Sequence, residues 1–227
     1  MRSSVFYSNP GTIIFLIIVL SISLQAEAQT TSEGTSPQFL YSDFLSSKVK
    51  MRNGQIHVLN LNYNTISEMM VYQKDDKLYD LANPEMTDTV FLGKSKFVPA
   101  GRVFYEVLLL APVPLFVQYK GELVDPGTPA GYGVNSKVSN TKSIQTFEML
   151  RNNVNRKIPS DYEVKTDLIY WFRKGGSMFS FINEKQFLKV FPDNESELKQ
   201  FIKQNRIKFD RPSDIIKLAV YLNNIIQ

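Results

Sequence analysis

Between Phe39 and Lys120, short apolar bursts recur about every ten residues, with Gly, Asn, Asp or Pro between them. That spacing predicts an antiparallel β-meander, closed either as a sandwich or as a curved half-barrel. Gln55–Tyr63 (QIHVLNLNY) alternates most cleanly. Ile56, Val58, Asn60 and Asn62 fall on one face; His57, Leu59, Leu61 and Tyr63 fall on the other. Asn53-Gly54 just before it is a hairpin turn signal. Further strands are expected at Met69–Gln73, Leu78–Leu81, Thr87–Leu92, Lys96–Val98, Arg102–Leu110 and Val113–Tyr119. Residues 121–166 open with a Gly- and Pro-rich run and continue polar, which predicts a long loop holding a short helix around Ile144–Asn152. The strand pattern returns in Asp167–Arg173 and Met178–Ile182, joined by a hairpin at Gly175-Gly176.

After residue 182 the period becomes helical. Asn183 with Gln186 reads as a capping box, Phe187, Leu188 and Phe191 form an apolar stripe, and Pro192 ends the helix. Asn194 with Glu197 opens a second helix in the same way, with Leu198, Phe201 and Ile202 facing inward. A third starts at Asp210 or Ser213 with Pro212 in its first turn, and carries Ile215, Leu218, Ala219, Leu222, Ile225 and Ile226 on one stripe. Helices this short are marginal alone, so they must pack on each other or on the sheet. The expected fold is α+β: an antiparallel β domain over 39–182, then a helical segment over 183–227 packed on it.

The first 28 residues read differently. Arg2 precedes the apolar run Ile13–Leu24, and Ala26-Glu27-Ala28 follows as a small-x-small site. This order is that of a secretory signal peptide cleaved near Ala28, and the run is too short to span a bilayer. The polar stretch 29–38 then reads as a flexible lead. The protein is thus expected to be exported, to the periplasm or the cell surface. The chain has no Cys and a single His, which excludes disulfides, thiolate chemistry and His-rich metal centres. An exported chain without Cys suits a bacterial envelope. The net charge is +4, with 26 basic and 22 acidic side chains and no basic cluster, so nucleic acid is not an expected partner. Attraction to anionic envelope polymers or lipid headgroups would be weak and would fade with salt.

One resemblance can be placed on particular residues. Asn53-Gly54, Leu61-Asn62-Tyr63-Asn64, Glu68-Met69, Phe97-Val98-Pro99, Tyr132-Gly133, Asn183-Glu184-Lys185-Gln186-Phe187-Leu188 and Phe191-Pro192 together resemble a family of secreted proteins of Bacteroidota-type bacteria. The resemblance implies a bacterial, exported origin. It brings no activity and no catalytic residue.

The search for reactive motifs leaves binding as the expectation. Gly93-Lys94-Ser95 lacks the earlier Gly of a phosphate loop, because position 88 is Asp, and Asp75-Asp76-Lys77 lacks the ligand spacing of a calcium loop. His57 sits mid-strand without a nucleophile turn. Neither a cofactor nor a metal is expected. The candidate ligand-binding residues are Asn60, Asn62 and Asn64, whose amides alternate along one strand, together with Tyr132 and Trp171. Three functions follow from this. The first is non-catalytic binding of an envelope protein or polymer. The second is carriage of an apolar ligand in a half-barrel lined by Phe104, Leu108, Leu110 and Phe116. The third is a carboxylate-based glycoside hydrolase using Glu68 or Glu106, with Glu106 sharing a face with Phe104 and Leu108. The sequence favours the first, a protein that is not an enzyme.

Overall fold

A computed structural model describes the backbone of residues 36–124, 128–130, 134–136 and 140–226, and the side chains of 36–124 and 144–226. In it the apolar bursts become strands β1 (Leu45–Met51), β2 (Ile56–Asn64), β3 (Met69–Lys74), β4 (Lys77–Asp80), β5 (Thr87–Leu92), β6 (Ser95–Ala100), β7 (Val103–Leu109) and β8 (Leu115–Val124). A small separate ladder pairs β9 (Thr128–Ala130) with β10 (Val134–Ser136), and helix α1 (Asn140–Arg151) follows. Then come β11 (Glu163–Lys174), β12 (Ser177–Phe181), α2 (Glu184–Val190), α3 (Glu195–Asn205) and α4 (Pro212–Ile225). The segment expected as one long loop is therefore shortened from both ends, because β8 and β11 pair from Leu115–Phe172 as far as Val124–Glu163. The unit Gly34–Gln227 holds every described element.

Ten strands form one antiparallel sheet in the order β12-β11-β8-β7-β6-β5-β1-β2-β3-β4. Two meanders meet at the pairing of β1 with β5, so β1 lies inside the sheet and the chain crosses over between β4 and β5. β1 carries little apolar pattern of its own, since Val49 is its one fully buried apolar residue. One inner row runs across seven strands: Val49, Val90, Phe97, Glu106, Val117, Tyr170 and Phe181. Where the sheet curls, Val49, Leu61, Tyr63, Met70, Val90, Leu92, Phe97 and Phe104 fill its inside. At the other end the same face is covered by helices. There Leu115, Val117, Tyr170, Phe172 and Phe181 pack against Phe187, Phe191, Leu198, Ile215, Leu218 and Leu222.

The curl is held by a wedge. The β7–β8 ladder runs only as far as Glu106–Val117. Beyond it the β2–β3 turn bonds to both strands: the Glu68 carbonyl accepts from the Phe104 N–H at 3.1 Å, and the Thr65 carbonyl accepts from the Gly121 N–H at 2.8 Å. Tyr63 donates its hydroxyl to the carbonyls of Phe104 at 3.3 Å and Tyr119 at 3.1 Å. Turn residues thus satisfy the backbone groups that a separated strand pair would leave unmet. Gly121 permits the approach: a Cβ there would lie 2.5 Å from Thr65 Oγ1 and 3.2 Å from its carbonyl carbon.

Helix starts differ in detail from the sequence expectation. Asn183 caps α2 by accepting from the Gln186 N–H at 3.0 Å, while Gln186 reaches back to the N–H of Ile182 at 2.9 Å. Asn194 makes no side-chain cap, because a 3-10 turn over Pro192–Asn194 leads directly into α3. Arg211 occupies the cap position of α4, and Asp214 accepts from the Lys208 N–H instead.

Candidate functional site

The sequence-selected residues do not assemble into one site. Asn60 is exposed, but Asn62 and Asn64 are fully buried and their side-chain oxygens accept from the chain's own N–H groups. Residues 38–43 fold back over the end of β2. Asn62 accepts from the Tyr41 and Tyr63 N–H groups and donates to the carbonyls of Tyr41 at 2.8 Å and Asp43 at 3.1 Å. The Asn64 side-chain oxygen accepts from the N–H groups of Ile66 and Ser67, which shapes the β2–β3 turn. This corrects the reading of both as ligand-facing amides. It also corrects the end of the flexible lead: Gln38 is buried, and its carbonyl accepts from the Thr65 N–H at 2.8 Å. Tyr132 lies outside the described residues.

Trp171 is where polar and aromatic chemistry do converge. It sits on β11 with its ring on the face opposite Tyr170 and Phe172, away from the helices. Tyr105 from β7 stacks on it with ring centroids 5.4 Å apart and planes 17° apart. Both rings are half-buried. The indole N–H donates to Gln118 Oε1 at 2.9 Å, and Gln118 Nε2 donates onward to the Glu68 carboxylate. Glu68 stands at a left-handed backbone position, φ 59°, in the wedge turn. The relay therefore fixes the indole from a rigid backbone joint. Beside it Phe116 is buried beneath the Arg173 guanidinium, 5.3 Å from the ring centroid. Desolvation, and secondarily the Glu68 charge, pushes the Tyr105 phenol above its ordinary range, so it stays neutral.

Of this set the sequence reading selected only Trp171 as a binding residue. Tyr105 and Gln118 alternate outward on their strands, but their alignment with Trp171 follows from register, which a single sequence does not state. The two carboxylates weighed for hydrolysis are held apart. Glu106 accepts from the Tyr119 hydroxyl and Glu68 from Gln118, and these neighbours on β8 point to opposite faces. The expected lining of an apolar cavity is also dispersed. Phe104 is inside the packed curl, Leu108 packs against the helical cluster, Leu110 is 69% exposed, and Phe116 is on the far face. The irregularity between Val107 and Leu109 separates Leu108 from the alternation that Glu106 follows.

A concavity of about 730 Å³ opens elsewhere, between the β3–β4 strands, the β6–β7 turn and α1. Acids and arginines share its lining: Asp80, Glu85, Glu148, Arg102 and Arg151, with Arg151 and Glu148 paired at 3.9 Å. Among the described residues no aromatic ring lines it. Among the described residues no group of three or more His, Asp or Glu is placed to hold a metal ion, and no helix is long and apolar enough to cross a membrane. No family model, curated protein or solved structure matches the chain.

Proposed function

We propose that this is an exported bacterial envelope protein that acts by binding, without catalysis, a polymer partner laid across the Tyr105–Trp171 face. The observation that carries the reading is the stacked pair of half-exposed rings, oriented by Gln118 and Glu68 on a sheet braced from behind. Such rings offer apolar area with little conformational entropy left to lose on binding. The polar groups at their borders suit a ligand with flat apolar faces and hydroxylated edges, which is the character of a glycan strand. The export half of the proposal rests on Ile13–Leu24, the Ala26-Glu27-Ala28 site and the absence of Cys.

Trp171 is the chain's only tryptophan, so its fluorescence reports on the proposed site alone. Titration with solubilised peptidoglycan fragments should quench or blue-shift it with saturation. Tyr105→Ala should weaken the affinity roughly tenfold or more. Unchanged emission at saturating fragment, together with equal co-sedimentation of wild type and Tyr105→Ala with intact sacculi, would rule the polymer reading out. Recovery of the uncleaved chain in the cytosolic fraction would rule out export.

A further inference from the structure

The sheet has two free edges, and the chain treats them differently. At one edge β4 follows a tight turn in which Asp75 and Asp76 both have positive φ, 50° and 57°. At the other, β12 follows Gly175 and Gly176, at 57° and 81°. Both are two-residue hairpins, closed by the pairs Lys74–Lys77 and Lys174–Ser177. In such a hairpin the closing pair exchanges hydrogen bonds, and the next residue along turns its N–H and C=O outward. On β4 that residue is Leu78. Both of its groups are taken by one side chain: Asn155 Oδ1 accepts from the Leu78 N–H at 2.9 Å, and Asn155 Nδ2 donates to the Leu78 carbonyl at 2.8 Å. This edge is capped at Leu78.

By the same parity, the outward residues on β12 are Met178 and Ser180. Among the described residues no side chain bonds to either of them. Ser177, Met178, Phe179 and Ser180 are all exposed, with Met178 at 39% and Phe179 at 41%. The strand carries neither charge nor proline, the usual protections of an edge. The open strip ends at Ile182, whose N–H is taken by Gln186.

We infer that β12 is a self-association edge, pairing antiparallel with β12 of a second copy about a two-fold axis through Phe179. That register sets Met178 of each copy against Ser180 of the other, so all four outward groups on each strand are satisfied by their counterparts. A shift by two residues in either direction would leave groups unmet or would need the occupied Ile182 N–H. The unshifted register places Phe179 opposite its own copy as a non-hydrogen-bonded pair, where side chains lie closest. The two sheets become continuous. Because the axis is perpendicular to the sheet, both helical layers fall on one side and both Trp171 faces on the other. Presentation of two binding faces to one polymer rests on the proposed function; the pairing itself does not.

One short strand pair buries far less than a standard interface, so the dimer is weak, half-formed at roughly 10 µM to 1 mM. Sedimentation equilibrium on the full chain, without added ligand, should give a mass rising from one chain toward two over that range. Ser180→Pro removes an outward N–H without breaking the β11 ladder, and should hold the mass at one chain while leaving the circular dichroism unchanged. The absence of native Cys permits a register test in the full chain. With diamide as oxidant, Phe179→Cys should form a disulfide-linked dimer at least tenfold faster than Ser177→Cys, because only position 179 meets itself at disulfide distance. A single-chain mass at every concentration, or equal cross-linking rates at 177 and 179, overturns the inference; the first result would leave the edge to an extended segment of another protein.

Discussion

Three asparagines do the same work at three distant places. Asn62 engages both the N–H and the C=O of Tyr41, Asn155 those of Leu78, and Asn223 those of Val113. A side-chain amide presents the donor and acceptor of a peptide group, so each of them substitutes for one residue of a neighbouring strand. This is why Asn62 looked like a ligand contact in sequence: the chemistry that would grip a foreign chain grips its own. Two tyrosines make the complementary point. The Tyr63 hydroxyl bonds two carbonyls at the wedge, whereas the buried Tyr170 hydroxyl has no partner among the described residues. Tyr63→Phe should therefore cost about 1–3 kcal/mol, and Tyr170→Phe should be neutral or stabilising by up to about 1 kcal/mol. Urea midpoints of the two variants check this; a larger loss for Tyr170→Phe contradicts it.

At the scale of elements, the β2–β3 turn joins strands that do not neighbour it in the sheet. Gly121→Ala drives a methyl group into Thr65. We expect a loss of about 1–3 kcal/mol, read as a lower denaturation midpoint, with most of the strand content kept. Most strands and all three C-terminal helices were legible in the chain, because their apolar periodicities of two and 3.6 are local properties. Three features were not. β1 takes its place from partners on both sides while carrying little apolar pattern of its own. The fold-back of residues 38–43 buries a polar strand end through amide pairing, which hydropathy does not register. The convergence of Tyr105, Gln118 and Trp171 depends on the alignment of three strands separated by as many as 66 positions in the chain, from Tyr105 to Trp171. Trp171 itself was legible because one face of an aromatic strand had to look away from the core.

For the whole molecule, buried phenols set the response to alkali. Burial raises the pKa of Tyr63, Tyr119 and Tyr170 above the ordinary 10.0, with the Glu106 hydrogen bond adding to the rise at Tyr119. Above pH 10 the unfolded chain releases these protons while the folded chain keeps them, so stability falls as pH rises past 10 and is unaffected by these groups below it. Each such tyrosine contributes a slope of up to about 1.4 kcal/mol per pH unit. Urea midpoints between pH 8 and 11.5 should stay level and then drop, more gently for Tyr63→Phe; a level midpoint throughout contradicts the account.

The wedge also dictates an order of events during synthesis. The β2–β3 hairpin finds its seat only on Phe104 and Gly121, which follow their partners Glu68 and Thr65 along the chain by 36 and 56 residues. A nascent chain that stops before that point has a keystone and no arch, so its early strands stay unlocked. Truncation just short of Gly121 should leave a product that proteases clear quickly, however intact its first four strands are on paper.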